Sequence, residues 1–361
     1  MPRNSTVLRN AVVVTCQSED ESHVRAIMTA MREHRGRAQR LRRRIVSVPA
    51  VLVVAPLLTI TTPLWAPAAA IADLVRGRRR LPLVRLLAFG TVWAWAECAG
   101  IARSLAEWVR GNAGDHDRHY ALMGWWAGTL MRGLRATTGL RVEVDGVEAF
   151  TPGPAVVLSR HASYGDSLVS AWVLCCLCGL QPRYVLKREL LSDPCLDIVG
   201  LRVPNHFLDR EAADGDAELE ALSELSTGLG PASVAVIFPE GTRASDAKRA
   251  RAIAKIAERN PERAARMAGL RHLLPPRPAG SRAILRGAPD ADLVLVWHAG
   301  FDGLDTIGGI VDRLRRAPRP ITLVARRVAR GDVPEGADFD RWLDDQWLRM
   351  DAAVDAELGR P

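Results

Sequence analysis

Residues 45–72 carry no formal charge, and this run of 28 residues constrains the chain more than any other feature. It exceeds the roughly 18–20 apolar residues needed to cross a bilayer. Pro49, Pro56, Pro63 and Pro67 oppose a single straight helix, because each removes a backbone donor. Arg40, Arg42, Arg43 and Arg44 precede the run, and Arg76, Arg78, Arg79 and Arg80 follow it. Basic residues are retained on the cytoplasmic side, so both ends of the run belong there. A single span cannot satisfy that arrangement, whereas a re-entrant hairpin or an interfacial segment can. A second apolar stretch, residues 81–110, is interrupted by Arg85, Glu97 and Arg103 and carries Trp93, Trp95 and Trp108. It is expected as a helix along the interface, where Trp is favoured; a buried core helix is the alternative. No secretory signal is expected, since a signal's apolar core should start much nearer Met1.

Charge follows the same division. The chain has 49 Lys plus Arg against 41 Asp plus Glu, a net +8. Residues 1–120 hold 18 Arg against 9 acids, a net +9, and the remainder holds 31 basic against 32 acidic residues, a net −1. The positive excess therefore flanks the apolar run. It points to an anionic cytoplasmic leaflet of the cell membrane as partner and not to nucleic acid. With 48% apolar and 25% charged residues, the chain is not of the disordered class. Six Cys make no disulfide framework. Cys175, Cys176 and Cys178 have no second pair with which to hold zinc, and read as small apolar residues packed in a helix. Three regions are expected: a basic polar segment at 1–44, membrane-associated apolar segments at 45–115, and a catalytic domain at 120–361.

From about Tyr120 the pattern changes. A helix carrying Trp125, Trp126, Leu130, Met131 and Leu134 leads to Gly139. Strands are then expected at 141–147, 155–159, 183–186, 233–238, 292–297 and 321–325. Helices are expected near 166–178, 213–227, 244–268, 303–316 and 338–357. Apolar strands without strict alternation, separated by helices, imply an α/β fold with a mainly parallel sheet flanked by helices on both faces.

Two short segments carry chemistry. The strand at 155–159 runs into Arg160-His161-Ala162-Ser163-Tyr164-Gly165-Asp166. The turn can fold Asp166 back onto His161, fixing the imidazole through Nδ1 and leaving Nε2 as a general base. Ser163 can cap the following helix, and Tyr164 can serve as a lid or as packing. The second segment is Phe238-Pro239-Glu240-Gly241-Thr242-Arg243 at the end of another strand. Pro239 ends the strand and Gly241 lets the backbone approach a ligand. Both segments stand at the carboxyl edge of the sheet, where ligands bind in such folds.

The pair of segments resembles the glycerolipid acyltransferases of the lysophosphatidate (1-acylglycerol-3-phosphate) acyltransferase type. That family has a His-x-x-x-x-Asp block followed by a Phe-Pro-Glu-Gly-Thr-Arg block about 80 residues later. The resemblance covers about residues 120–330. Residues 184–190 look like the family's Lys-Glu-Leu segment, and Phe207-Leu208-Asp209-Arg210 looks like its third block, which ends in a phosphate-binding Arg. Val294-Leu295-Val296 lies where a final apolar block falls, and residues 272–277 resemble a segment of the longer, lysophospholipid-type members. Three departures stand out: Arg160 replaces an Asn, Pro204-Asn205-His206 replaces a Gly-led apolar opening, and a Pro near Val296 is missing.

The resemblance implies a glycerophosphate-acyltransferase-like fold and a role in phospholipid biosynthesis. A fatty acyl group would move from acyl-CoA or acyl carrier protein to the free hydroxyl of a lysophospholipid, first of all 1-acylglycerol 3-phosphate, giving phosphatidic acid. No metal or other cofactor is implied. His161 would take the hydroxyl proton and Asp166 would stabilise the imidazolium. No G-x-S-x-G elbow occurs, consistent with direct attack without an acyl-enzyme. Arg210 and Arg243, with Lys187 behind them, would bind the acceptor phosphate. Glu240 would orient Arg243 or accept from acceptor hydroxyls, and N–H groups near Gly241 and Thr242 would face the oxyanion. Duller readings exist: Glu240 pairing with Arg243, Arg210 in a surface ion pair, and Lys187 on a solvated strand end. The Arg-rich stretch 243–286 reads either as a cationic face for headgroups or as a solvated helix with Glu262–Arg266 pairing. Other acceptors, a different lysophospholipid or a glycolipid, are the alternative within the enzyme class. A non-catalytic membrane-binding scaffold is the alternative outside it.

Overall fold

The computed structural model describes residues 38–208, 215–317 and 319–359. The chain divides between Ala50 and Val51 into two compact units. The apolar run forms two helices, α1 (Ala38–Ile60) and α2 (Thr62–Val75), which meet at Thr61. Of the four prolines, Pro63 marks the break, because at the first turn of α2 its missing N–H has no helical acceptor to lose. The others are accommodated inside helices. α1 and α3 (Pro82–Val109) are, by length and composition, long and apolar enough to cross a membrane.

α3 differs from the expected interfacial helix in one respect: a stripe of it is buried. Trp95 and Trp108 are exposed, but Trp93 packs edge-on against Trp126 with ring centroids 5.9 Å apart. Glu97, which reads in sequence as an interruption, is 2% exposed. It accepts the Trp126 indole N–H at 2.8 Å and the Cys195 N–H at 3.1 Å. Buried polar groups need such partners, so Glu97 ties α3 to the domain.

α4 (His116–Thr138) is capped at its start by Asp115, which accepts the Arg118 N–H at 3.2 Å, and ends at Gly139 with φ +73°. The order then is β1 (Val142–Asp145), β2 (Ala155–Ser159), α5 (Asp166–Trp172), β3 (Gln181–Lys187), α6 (Pro194–Ile198), β4 (His206–Leu208), α7 (Gly215–Ser226), β5 (Ser233–Ile237), α8 (Asp246–Ala257), α9 (Pro261–Met267), α10 (Pro278–Gly287), β6 (Asp292–Ala299), α11 (Ile307–Arg315), β7 (Ile321–Val328) and α12 (Gly336–Leu358). The seven-stranded sheet has the order β1-β7-β6-β2-β5-β3-β4, parallel except between β6 and β7. The mainly parallel α/β expectation holds. β4, α6 and α10 are additions, and the helix expected over 244–268 breaks at Asn260-Pro261 into α8 and α9.

β2 and β5 are buried at every position. Their alternate side chains fill two cores, one on each face of the sheet. Val156, Leu158, Ala235 and Ile237 pack toward Trp347 and Ile284, while Ala155, Val157, Val234 and Val236 pack toward Val169 and Leu174. Burying one such Val or Leu contributes roughly 1.5–3 kcal/mol. Register sets the site: Leu158 pairs with Ile237 and Ser159 with Val296, so the chain leaves β2 and β5 at nearly one level, while β6 continues to Ala299.

Candidate active site

Where β2 ends, the backbone turns and brings Asp166, at the first position of α5, back under His161. His161 Nδ1 lies 2.9 Å from Asp166 Oδ2. The same oxygen accepts the N–H groups of Ala162 at 2.6 Å and Ser163 at 2.9 Å, and Oδ1 accepts the Ser163 hydroxyl. Ser163 Oγ also accepts the Gly165 N–H at 3.0 Å, so it braces the whole turn. Asp166 is 3% exposed. Burial alone would raise its carboxyl, but His298, His161 and Ser163 outweigh burial and hold it at about 2. The carboxylate therefore stays ionised and keeps Nδ1 of His161 as the protonated nitrogen. His161 Nε2 has no hydrogen-bond partner among the described residues, and the ring leans on Phe238 at 4.9 Å.

The second segment grips the first through backbone contacts. Glu240 Oε1 accepts the His161 N–H at 2.8 Å, and Ala244 donates its N–H to the His161 carbonyl at 2.8 Å. Glu240 Oε2 accepts the Leu274 N–H at 2.9 Å. Glu240 is 1% exposed, and burial pushes its carboxyl up to about 8 against the lowering effect of these two donors. Both its oxygens are thus engaged by backbone, where sequence reasoning expected Arg243 or an acceptor hydroxyl. The Gly241 N–H, expected near the oxyanion, closes the turn on the Phe238 carbonyl at 2.9 Å. Gly241 has φ +68°, which explains glycine here. Thr242 follows, half-buried.

Arg243 lies with its guanidinium carbon 3.6 Å from the centroid of the Tyr164 ring, and its Nη1 is buried without a hydrogen-bond partner among the described residues. Tyr164 is 62% exposed. Beneath it opens an apolar cavity of about 300 Å³, lined by Trp93, Trp126, Leu168, Ala171, Tyr184 and Leu186 among others. Lys187 ends β3 at the same edge of the sheet, paired in register with Leu208, and is half-buried with a partner of its own. Arg210 lies outside the described residues.

Residues 141–277 match the family model described as Acyltransferase. That stretch is similar to acyltransferase domains. The stretch contains both chemical segments and bears out the resemblance drawn from them. Among solved structures, the chain is similar to the crystal structure of the 1-acyl-sn-glycerophosphate (LPA) acyltransferase PlsC from Thermotoga maritima, with 15% identity and a TM-score of 0.48, over 79% of this chain and 99% of that one. A comparison with the curated proteins gives no match.

Four features of the acyltransferase site escape sequence reasoning. Arg160, in place of the family's Asn, is fully buried. Its guanidinium donates to the His298 carbonyl and to Asp302, and reaches the His272 carbonyl at 3.4 Å. It thereby joins the ends of β2 and β6 to the segment before α10. His298, on β6, is 2% exposed and directs Nε2 toward Asp166 Oδ1 at 3.4 Å. Arg277 donates its N–H to the Pro239 carbonyl at 2.9 Å, and its exposed guanidinium covers Gly241, where a Cβ would stand 3.4 Å from Cζ. Asn205, in the departing third block, accepts the Tyr184 N–H at 2.8 Å and donates to the Gly200 carbonyl at 3.1 Å, latching the sheet edge beside the cavity. The spacing of His161 and Asp166 signalled the turn; no comparable signal marked these four.

The Arg-rich stretch is neither a free cationic face nor a simply solvated helix. Glu262 and Arg266 do pair at 3.3 Å, but Arg263 and Arg266 also hold Asp344 of α12, at 2.8 and 3.2 Å. Cys175, Cys176 and Cys178 are free thiols in and just after the π-helical turn that follows α5.

Proposed function

We propose that the acyltransferase moves a fatty acyl group from acyl-CoA or acyl carrier protein to the free hydroxyl of 1-acylglycerol 3-phosphate, giving phosphatidic acid. The observation that carries this reading is the His161–Asp166 pair, with Nε2 open, in the turn whose Tyr164 and Ser167 line an apolar cavity. The acyl chain lies in that cavity and its thioester carbon meets the acceptor hydroxyl beside His161. As the hydroxyl oxygen attacks, Nε2 takes its proton, and Asp166 stabilises the imidazolium. The tetrahedral intermediate then expels the thiolate, which takes the proton back from Nε2. Arg243, stacked on Tyr164, supplies a cation for the acceptor phosphate, and Arg277 a second one beside it. Arg210 and Lys187 belong to the same proposal. Glu240 acts from behind, by fixing the His161 backbone. α1 and α3, with their flanking arginines, hold the enzyme on the cytoplasmic face of the cell membrane.

The test is an acceptor panel with purified protein and labelled acyl-CoA. Lysophosphatidate is expected to be the best acceptor, and a neutral glycolipid to be poor. Transfer to none of the phosphate-bearing acceptors would overturn the reading.

A further inference from the structure

His298 is a buried histidine that the chemistry described so far does not use. It sits on β6, next to the end of β2, outside both recognisable segments. Its side chain is 2% exposed, and neither ring nitrogen has a hydrogen bond among the described residues. A buried imidazole with two idle nitrogens is an expensive way to fill space, and an apolar side chain would pack there without that penalty. Its surroundings are specific. Phe301 packs edge-on against the ring at 5.0 Å. Arg160 holds the carbonyl of His298 itself and ion-pairs with Asp302. Nε2 faces Asp166 Oδ1 at 3.4 Å, slightly long and poorly aligned for a hydrogen bond.

The two oxygens of Asp166 are unequally served. Oδ2 takes three donors: His161 Nδ1 and the N–H groups of Ala162 and Ser163. Oδ1 takes the Ser163 hydroxyl alone. His298 is placed to supply the missing donor. Catalytic hydrogen bonds are commonly long in a resting site and tighten when charge develops. We propose that His298 is a positioning residue: its Nε2–H closes on Asp166 Oδ1 as His161 becomes an imidazolium, and holds the carboxylate in line. Burial, helped by Arg160 and His161, holds its pKa down at about 4 against the raising effect of Asp166 and Asp302, the other two groups that face it. At neutral pH it therefore offers Asp166 a dipole and not a charge. That matters, because a second cation would compete with the imidazolium for the same carboxylate.

This inference rests on the reading of His161 and Asp166 as the catalytic pair. The experiment compares four variants in steady state with labelled acyl-CoA and the best acceptor of the panel, over a range of pH. His298→Gln places an amide N–H near the position of Nε2, and is expected to keep kcat within about threefold of the parent. His298→Leu removes the donor. It is expected to lower kcat about 10- to 100-fold with KM unchanged. His298→Asn reaches the position of Nδ1 but not of Nε2, and should follow Leu; the Gln–Asn pair decides the matter if the Leu variant fails to fold. Parent-like kcat in the Leu or Asn variant would overturn the proposal, as would a Gln variant as slow as Asn. Undiminished turnover in His161→Ala would instead remove the catalytic pair, and separates that failure from this one.

Discussion

Helix α5 divides the site into two unlike halves. On one side Asp166 is held in a knot of hydrogen bonds with His161, Ala162 and Ser163, with His298 behind it. On the other, Ser167, Leu168 and Ala171 face the apolar cavity under Tyr164. The polar half is held by directional bonds between residues close in the chain or on adjoining strands. The apolar half is a gap left between α3, α4, β3 and α6, shaped by residues up to a hundred positions away, such as Trp93 and Cys195. The first half should fail abruptly when one atom is removed. The second should respond in graded steps to changes of volume.

The largest effect is expected on the polar side. His161→Ala removes the group proposed to take the hydroxyl proton, and turnover should fall about 10³-fold with an unchanged circular-dichroism spectrum. Asp302→Asn leaves the fully buried Arg160 guanidinium without its counter-charge. Stability should drop by about 3 kcal/mol, read from denaturant unfolding.

Proton linkage sharpens the same comparison. His298 is held at about 4, below an unfolded His, so the fold loses stability as pH falls from about 6.5 toward 4. Glu240 is held at about 8, above an unfolded Glu, so its contribution is complete below about 4.5 and is lost as pH rises through 8. Between about 4.5 and 6.5 the two slopes oppose each other. His298→Gln removes the first. The stability of that variant relative to the parent should therefore grow by about 1.4 kcal/mol per pH unit as pH falls below 6.5, measured by urea unfolding at several pH values. A flat difference would show that His298 does not remain neutral in the fold.

The apolar half predicts smaller, graded changes. Ser167→Leu projects new volume into the cavity, and preference should move toward shorter acyl donors. The change is about fourfold in kcat/KM per displaced methylene, from roughly 0.8 kcal/mol each, read with a series of acyl-CoA lengths. Tyr164→Leu keeps an apolar cover but loses the stack with Arg243. Acceptor KM should rise about threefold with kcat unchanged, in keeping with roughly 0.5–1 kcal/mol for an exposed cation–π contact. An abrupt loss of kcat in either variant would erase the distinction between the two halves.

Much of the polar half was legible in the sequence. The interval from His161 to Asp166 fits one turn between a strand and a helix, and Pro239 and Gly241 announce another. These are local signals, because a turn is decided by a few consecutive residues. The task of Glu240 was not legible, since its partners are backbone N–H groups of His161 and Leu274, and every residue carries such a group. Arg160 read as a departure from the family's Asn; in the fold it faces inward and joins β2 to β6. Glu97 read as an interruption of an apolar stretch, and proves to be the point at which α3 is tied to α4 and α6.

The sequence by itself determined the alternation of buried strands and helices, the absence of one straight helix over the apolar run, and the turns that carry His161 and Glu240. Each depends on backbone preference and apolar periodicity over short spans. Tertiary structure alone decided which strands would be neighbours, and hence that His298 would stand behind Asp166 and that Glu240 would hold His161. Strand order is fixed by how apolar faces close over one another across the whole domain, and no local stretch of sequence encodes that choice. The cavity has the same origin, for its walls meet only when helices distant in the chain pack around α5.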